Sequence, residues 1–132
     1  MDMTPEFILL ALTLILALIQ IGAAGMARTA ELGGKWNAGP RDGEAPPPGK
    51  LAGRLMRAQA NLFETLPLFA AAVIMAEVAG KTGDLTVWGA HLYFFGRLIY
   101  VPLYAFGVPY VRSLVWLVAA GGLVMVIAAL FV

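Results

Sequence analysis

The sequence predicts an all-α membrane protein, a bundle of four transmembrane helices, on three observations. Charged residues make up only 13% of the 132 residues and hydrophobic ones 61%, with a mean hydropathy of +0.82; soluble domains carry about 25% charged residues. The apolar residues are gathered into four long stretches. The basic residues are concentrated between the first two of them. Helices are expected because a helix satisfies its own backbone hydrogen bonds in lipid.

The first stretch, Phe7 to Ala27, contains no charge. It exceeds the requirement of about 20 apolar residues for a span. Its amino end is acidic (Asp2, Glu6) and its apolar run is too long for a signal peptide, so a retained helix is expected. The second stretch, Thr65 to Ala76, is uncharged but short, and reaches span length only by including the polar run from Arg57 onward. The third, Leu85 to Val111, carries one charge, Arg97. The fourth, Ser113 to Val132, carries none. The expectation is a single domain over 1–132, with helices near 5–27, 57–79, 85–106 and 110–132 and a polar loop over 28–56.

Arg28, Lys35, Arg41, Lys50, Arg54 and Arg57 lie around the first connection, and Lys81 alone lies in the second. By the positive-inside rule the first and third loops are cytoplasmic and both termini lie opposite. The long loop contains Gly33-Gly34, Gly39-Pro40 and Pro46-Pro47-Pro48-Gly49, a composition that breaks any continuous helix. The second and third connections, Gly80–Asp84 and Phe106–Pro109, are tight, so helices two to four run up, down and up beside one another. There is no cysteine, which excludes disulfides, thiolate nucleophiles and cysteine metal sites. One histidine, His91, is too few for a histidine-based metal site, and no metal is expected.

Arg57, Asn61 and Glu64 fall at i, i+4 and i+7, one helix face. Gln59 points about 200° away from Arg57. The two outer arginines, Arg54 and Arg57, can snorkel to the interface. Asn61 and Glu64 lie deeper, where polar groups either glue helices together or hold a ligand. In the third helix Tyr93, Arg97, Tyr100 and Tyr104 form a second stripe. Arg97 sits mid-segment and needs a partner; Glu64 is the obvious carboxylate, giving an expected structural Arg97–Glu64 pair. Arg112 opens the fourth helix, either as an anchor or as a cation that stabilises an anion. Such a belt suits a small, polar, anionic ligand beside an apolar surface. A peptide thiol such as glutathione fits, and so does an anionic lipid headgroup.

The run Arg57-Ala-Gln-x-Asn61-x-x-Glu64-x-x-Pro67 resembles the signature of the membrane-associated proteins in eicosanoid and glutathione metabolism, the MAPEG superfamily. That superfamily includes microsomal glutathione transferases and leukotriene-C synthases. Arg97-x-x-Tyr100-x-x-x-Tyr104, Gln20, the four-helix pattern and the Pro-rich loop agree, so the resemblance spans essentially the whole chain. It implies a homotrimer with glutathione, the co-substrate, bound between neighbouring subunits toward the cytoplasmic side. By match to the motif, Arg57, Gln59, Asn61, Glu64, Tyr100 and Tyr104 contact glutathione. A cytoplasm-side arginine, Arg112 or less directly Arg28, then stabilises the reactive thiolate. The chain departs from the pattern at Thr65, where several members carry Tyr, and at Ile99 and Phe106, where some carry cations. The activating arginine of the synthases aligns with Val111, one residue from Arg112.

The function expected from these readings is conjugation or reduction of lipophilic electrophiles by glutathione thiolate, a detoxification chemistry, in a bacterial inner membrane. The alternative is a non-catalytic protein of the same fold that binds a lipid headgroup or a partner protein. The expected partners are the bilayer, glutathione and further copies of the chain, with no nucleic acid.

Overall fold

In a computed structural model describing residues 2–132, the chain forms four long helices and one short one. They are α1 (Pro5–Leu32), α2 (Gly34–Ala38), α3 (Lys50–Ala79), α4 (Asp84–Ala105) and α5 (Val111–Ala129). Thr4 caps α1: its hydroxyl accepts from the Phe7 N–H at 3.2 Å, and Pro5 supplies a pre-set φ in the first turn. The helix runs past the apolar stretch to Leu32 and stops at Gly33, whose φ of 90° suits a residue without a Cβ. Likewise α3 begins at Lys50, well before Arg57. Both extensions are polar and helix-competent, so helix outlasts the hydrophobic stretch at each side of the first loop. Within that loop, α2 forms a short helical piece between the glycine pairs.

The other connections follow local chemistry. At the end of α3, Gly80 takes a left-handed conformation (φ 68°) and the Lys81 N–H reaches Ala76 O at 2.8 Å, closing the last carbonyls as glycine-capped helix ends do. Gly83 N–H donates to Thr86 Oγ1 at 2.8 Å to open α4. The α4–α5 turn passes through Gly107 at φ 69°. A Cβ there would lie 2.8 Å from the Arg54 guanidinium, so this turn and the start of α3 are fitted to each other.

Two of the interfaces set the core. Helix α1 packs on α3, and α4 makes its most extensive contact with α5. Between α4 and α5 the backbones come very close: a Cβ on Gly122 would lie 2.4 Å from Gly89 O, and one on Gly96 would lie 2.8 Å from Ala119 Cβ. Small residues allow this approach, as they commonly do between membrane helices. Phe69 of α3 stacks on Tyr93 of α4 at 4.1 Å between ring centroids, and Tyr93 shares a 2.7 Å hydroxyl contact with Thr65. At the end of the bundle away from the long loop, buried Glu6 accepts from Thr86 Oγ1 at 2.8 Å. Thr4 and Glu77 are bonded there as well.

The bundle is apolar outside as well as inside. Along α1, Leu14, Ile15, Leu18 and Ile19 are 51–69% exposed, a continuous face that water would not stabilise and lipid would. By length and composition α1, α3 and α5 are apolar enough to cross a membrane. The fourth expected span, α4, is not among them although it has 22 residues. His91, Arg97 and three tyrosines dilute its apolar content.

Candidate functional site

The polar stripe of α3 meets α4 and α5 at Asn61. Its Oδ1 accepts from Arg97 Nη1 at 2.8 Å and from Trp116 Nε1 at 2.9 Å. Arg97 is 2% exposed and lies over the Tyr100 ring, 4.6 Å from the centroid. The Arg97–Glu64 ion pair expected from the sequence is not formed; among the described residues the ion pair within 4.0 Å is Arg28–Glu31. Both Asn61 and Glu64 share the face turned to α4, but Arg97 lies level with Asn61 and spends its Nη1 hydrogen there. Glu64, about one turn further along α3, pairs with no cation among the described residues and is exposed in the single chain.

Toward the α4–α5 turn the remaining cations gather on Tyr104. Arg57 Nε donates to Tyr104 Oη at 3.1 Å. The Arg112 guanidinium lies over the same ring at 4.6 Å, and Tyr100 meets it edge-on at 5.6 Å. Arg54 reaches the end of α4 through Ala105 O at 3.4 Å. A cleft of about 400 Å³ opens here, lined by Asn61, Tyr100, Tyr104, Arg112, Ser113, Trp116 and Leu117. Arg112 lines it and Val111 does not, so the residue that departs by one position from the expected alignment is the one at the cleft. Among the described residues no acidic side chain lines the cleft. Unpaired cations at a partly apolar site attract an anion by about 4 kcal/mol per charge pair at 4 Å for an effective dielectric near 20.

Two predicted residues lie elsewhere. Gln59 faces away from the cleft, beside Arg28, Asn37 and Arg41 in a second one of about 270 Å³ between α1, the long loop and α3. There Arg28 donates to Glu31 at 2.9 Å and also to Pro46 O. Arg41, at φ 59°, is held by Asn37 O at 2.9 Å. Within one chain, then, Arg57, Asn61, Tyr100, Tyr104 and Arg112 come together, while Gln59 and Arg28 form a separate group. Gln20 is buried and its Oε1 has no partner. Sequence reasoning missed Trp116 and Arg41. Trp116 was within reach: it falls at i+4 from Arg112 and shares its helix face.

The MAPEG family matches residues 7–132, nearly the whole chain. No curated protein and no solved structure matches the chain. The chain belongs to the MAPEG family and is an integral membrane protein of that glutathione- and eicosanoid-related group.

Proposed function

We propose that this MAPEG protein is a glutathione-dependent transferase or peroxidase that acts on lipophilic electrophiles within the bilayer. The observation that carries the reading is the cleft where Asn61, Tyr100, Tyr104 and Arg112 converge without a carboxylate. Arg57, fixed by Tyr104, and Asn61 orient the peptide thiol. Arg112 faces the thiolate and stabilises its charge, which raises the fraction of the reactive form. The thiolate attacks an electrophilic carbon, forming a C–S bond as halide leaves, or the terminal oxygen of a hydroperoxide, breaking the O–O bond to release the alcohol after protonation. In the second case the resulting glutathione sulfenic acid is reduced by a second glutathione to the disulfide and water. The apolar outer surface of the bundle lets such substrates arrive from the lipid.

The exposure of Glu64 supports an assembly of several copies. Glu64 is exposed on a helix that has membrane-span character, and a carboxylate facing lipid costs about 2.5–3.5 kcal/mol or more. A neighbouring copy of the chain removes that cost by covering the α3 face. In the homotrimer we propose, the Gln59 and Arg28 cleft of one subunit completes the Arg57–Arg112 cleft of the next. Glutathione lies between them, with Glu64 available to its ammonium group. Helix α4 then crosses the membrane shielded by α3 and α5, and the first and third loops face the cytoplasm.

The test is turnover of a lipophilic aryl halide and of a lipid hydroperoxide by the purified protein, with Arg112→Ala beside it. The expected outcome is a loss of kcat of about 100-fold or more, as when a charge-stabilising group is removed, with glutathione binding retained. Binding without any turnover in the wild type points instead to the non-catalytic alternative.

A further inference from the structure

The two donors on Asn61 determine which way its amide faces. An amide has an oxygen that only accepts and a nitrogen that only donates. Arg97 Nη1 and Trp116 Nε1 are both obligate donors and both meet the same atom, at 2.8 and 2.9 Å. That atom must be the oxygen; the flipped amide would set its NH₂ against two further donors. Among the described residues the Asn61 Nδ2 hydrogens have no partner, and Nδ2 is not among the buried unpaired atoms, so it is accessible at the cleft that Asn61 lines. Tyr104 adds to the same polarity. Its oxygen accepts from Arg57, which leaves the phenolic hydrogen free to donate.

We infer that Trp116 is a positioning residue: with Arg97 it locks the Asn61 amide so that the cleft offers donors, and this makes the site selective for acceptor groups of the ligand. The inference rests on the glutathione reading and deepens it. The ligand part held here is a carboxylate, a carbonyl or the thiolate itself, never an ammonium. The second donor strengthens the lock, because the last side-chain bond of the amide is intrinsically broad and nearly two-fold and each stranded donor adds to the cost of a flip. With both in place, rotation would strand the buried Arg97 donor and the partly buried Trp116 donor together.

Two small thiols separate this from a merely structural role: 3-mercaptopropionate, which carries an anion, and cysteamine, which carries an ammonium. Each is measured as a competitor of glutathione in binding to the full-length protein in detergent. Wild type is expected to favour the anionic thiol. Trp116→Phe keeps an aromatic ring but deletes the donor, and should narrow that preference by about tenfold, the size expected for a hydrogen bond to a charged group. Asn61→Asp keeps an acceptor for both Arg97 and Trp116 but has no NH₂. It should lower the preference further, toward cysteamine, a change of sense that loss of folded protein does not produce. A wild type that binds glutathione but keeps its preference unchanged in both variants overturns the amide lock alone. A wild type that binds none of the three thiols overturns the lock together with the glutathione reading.

Discussion

Arg97 and Arg112 are both arginines on tyrosine-bearing surfaces, yet their surroundings assign them different work. Arg97 is buried, pinned to Asn61 and stacked on Tyr100; it holds α3 and α4 together and orients an amide. Arg112 is half-buried, lies over the face of Tyr104 with no ion-pair partner among the described residues, and lines the cleft. The polar face of α3 is legible in the helical spacing of Arg57, Asn61 and Glu64. What spacing leaves open is height: Asn61 and Glu64 share a face but lie one turn apart, and only the packing of α4 decides which of them meets Arg97. The one-residue ambiguity at Val111 and Arg112 has the same origin, because the turn before α5 sets the rotation of the first helical residues. Tyr104 gives the residue-scale test. Tyr104→Phe keeps the ring under Arg112 but removes the acceptor that fixes Arg57. Glutathione affinity should fall by about fivefold, the size of one hydrogen bond near 1 kcal/mol, with kcat nearly unchanged. Isothermal titration and steady-state kinetics read the two separately, and a fall in kcat alone would contradict the assignment.

At the scale of elements, the long apolar stretches mark three spans directly, because lipid demands about 20 apolar residues and little else satisfies that demand. Helix α4 is harder to read as a span, since it carries the polar groups that the site needs. The extensions of α1 to Leu32 and of α3 back to Lys50 are not legible from hydropathy, which senses lipid and not helix. The α4–α5 seam shows a further limit. Gly89, Gly96 and Gly122 read in sequence as ordinary small residues of a membrane segment, yet they set how closely two backbones approach. The seam also places Trp116 on Asn61 of α3 and Arg112 over Tyr104 of α4, so the site depends on it. Gly122→Ala would put a Cβ 2.4 Å from Gly89 O and 2.7 Å from Tyr93 N. Overpacking of that kind costs about 1–3 kcal/mol. Thermal unfolding in detergent should show a lower midpoint for Gly122→Ala, while Gly121→Ala, with open space around it, should match wild type.

For the whole molecule, one chain presents two separate clefts, which the proposed homotrimer would join into one site. One is lined by Asn61, Tyr104 and Arg112, with Arg57 bonded to Tyr104 beside it, and the other by Gln59 and Arg28. In the proposed homotrimer, repetition around a three-fold axis would join unlike faces and close the ring, and would cover Glu64 as well. This division explains why a linear motif containing both Gln59 and Asn61 splits in the folded chain: neighbours in sequence on a helix serve different clefts, since two residues are about 200° apart. The central claim, that the cationic cleft binds glutathione as a thiolate, is tested most directly by the ultraviolet thiolate absorbance of the purified protein titrated with glutathione near neutral pH. The expected result is a saturable thiolate signal that Arg57→Ala abolishes. Glutathione that produces no thiolate signal in the wild type, or a signal that Arg57→Ala leaves intact, would contradict it.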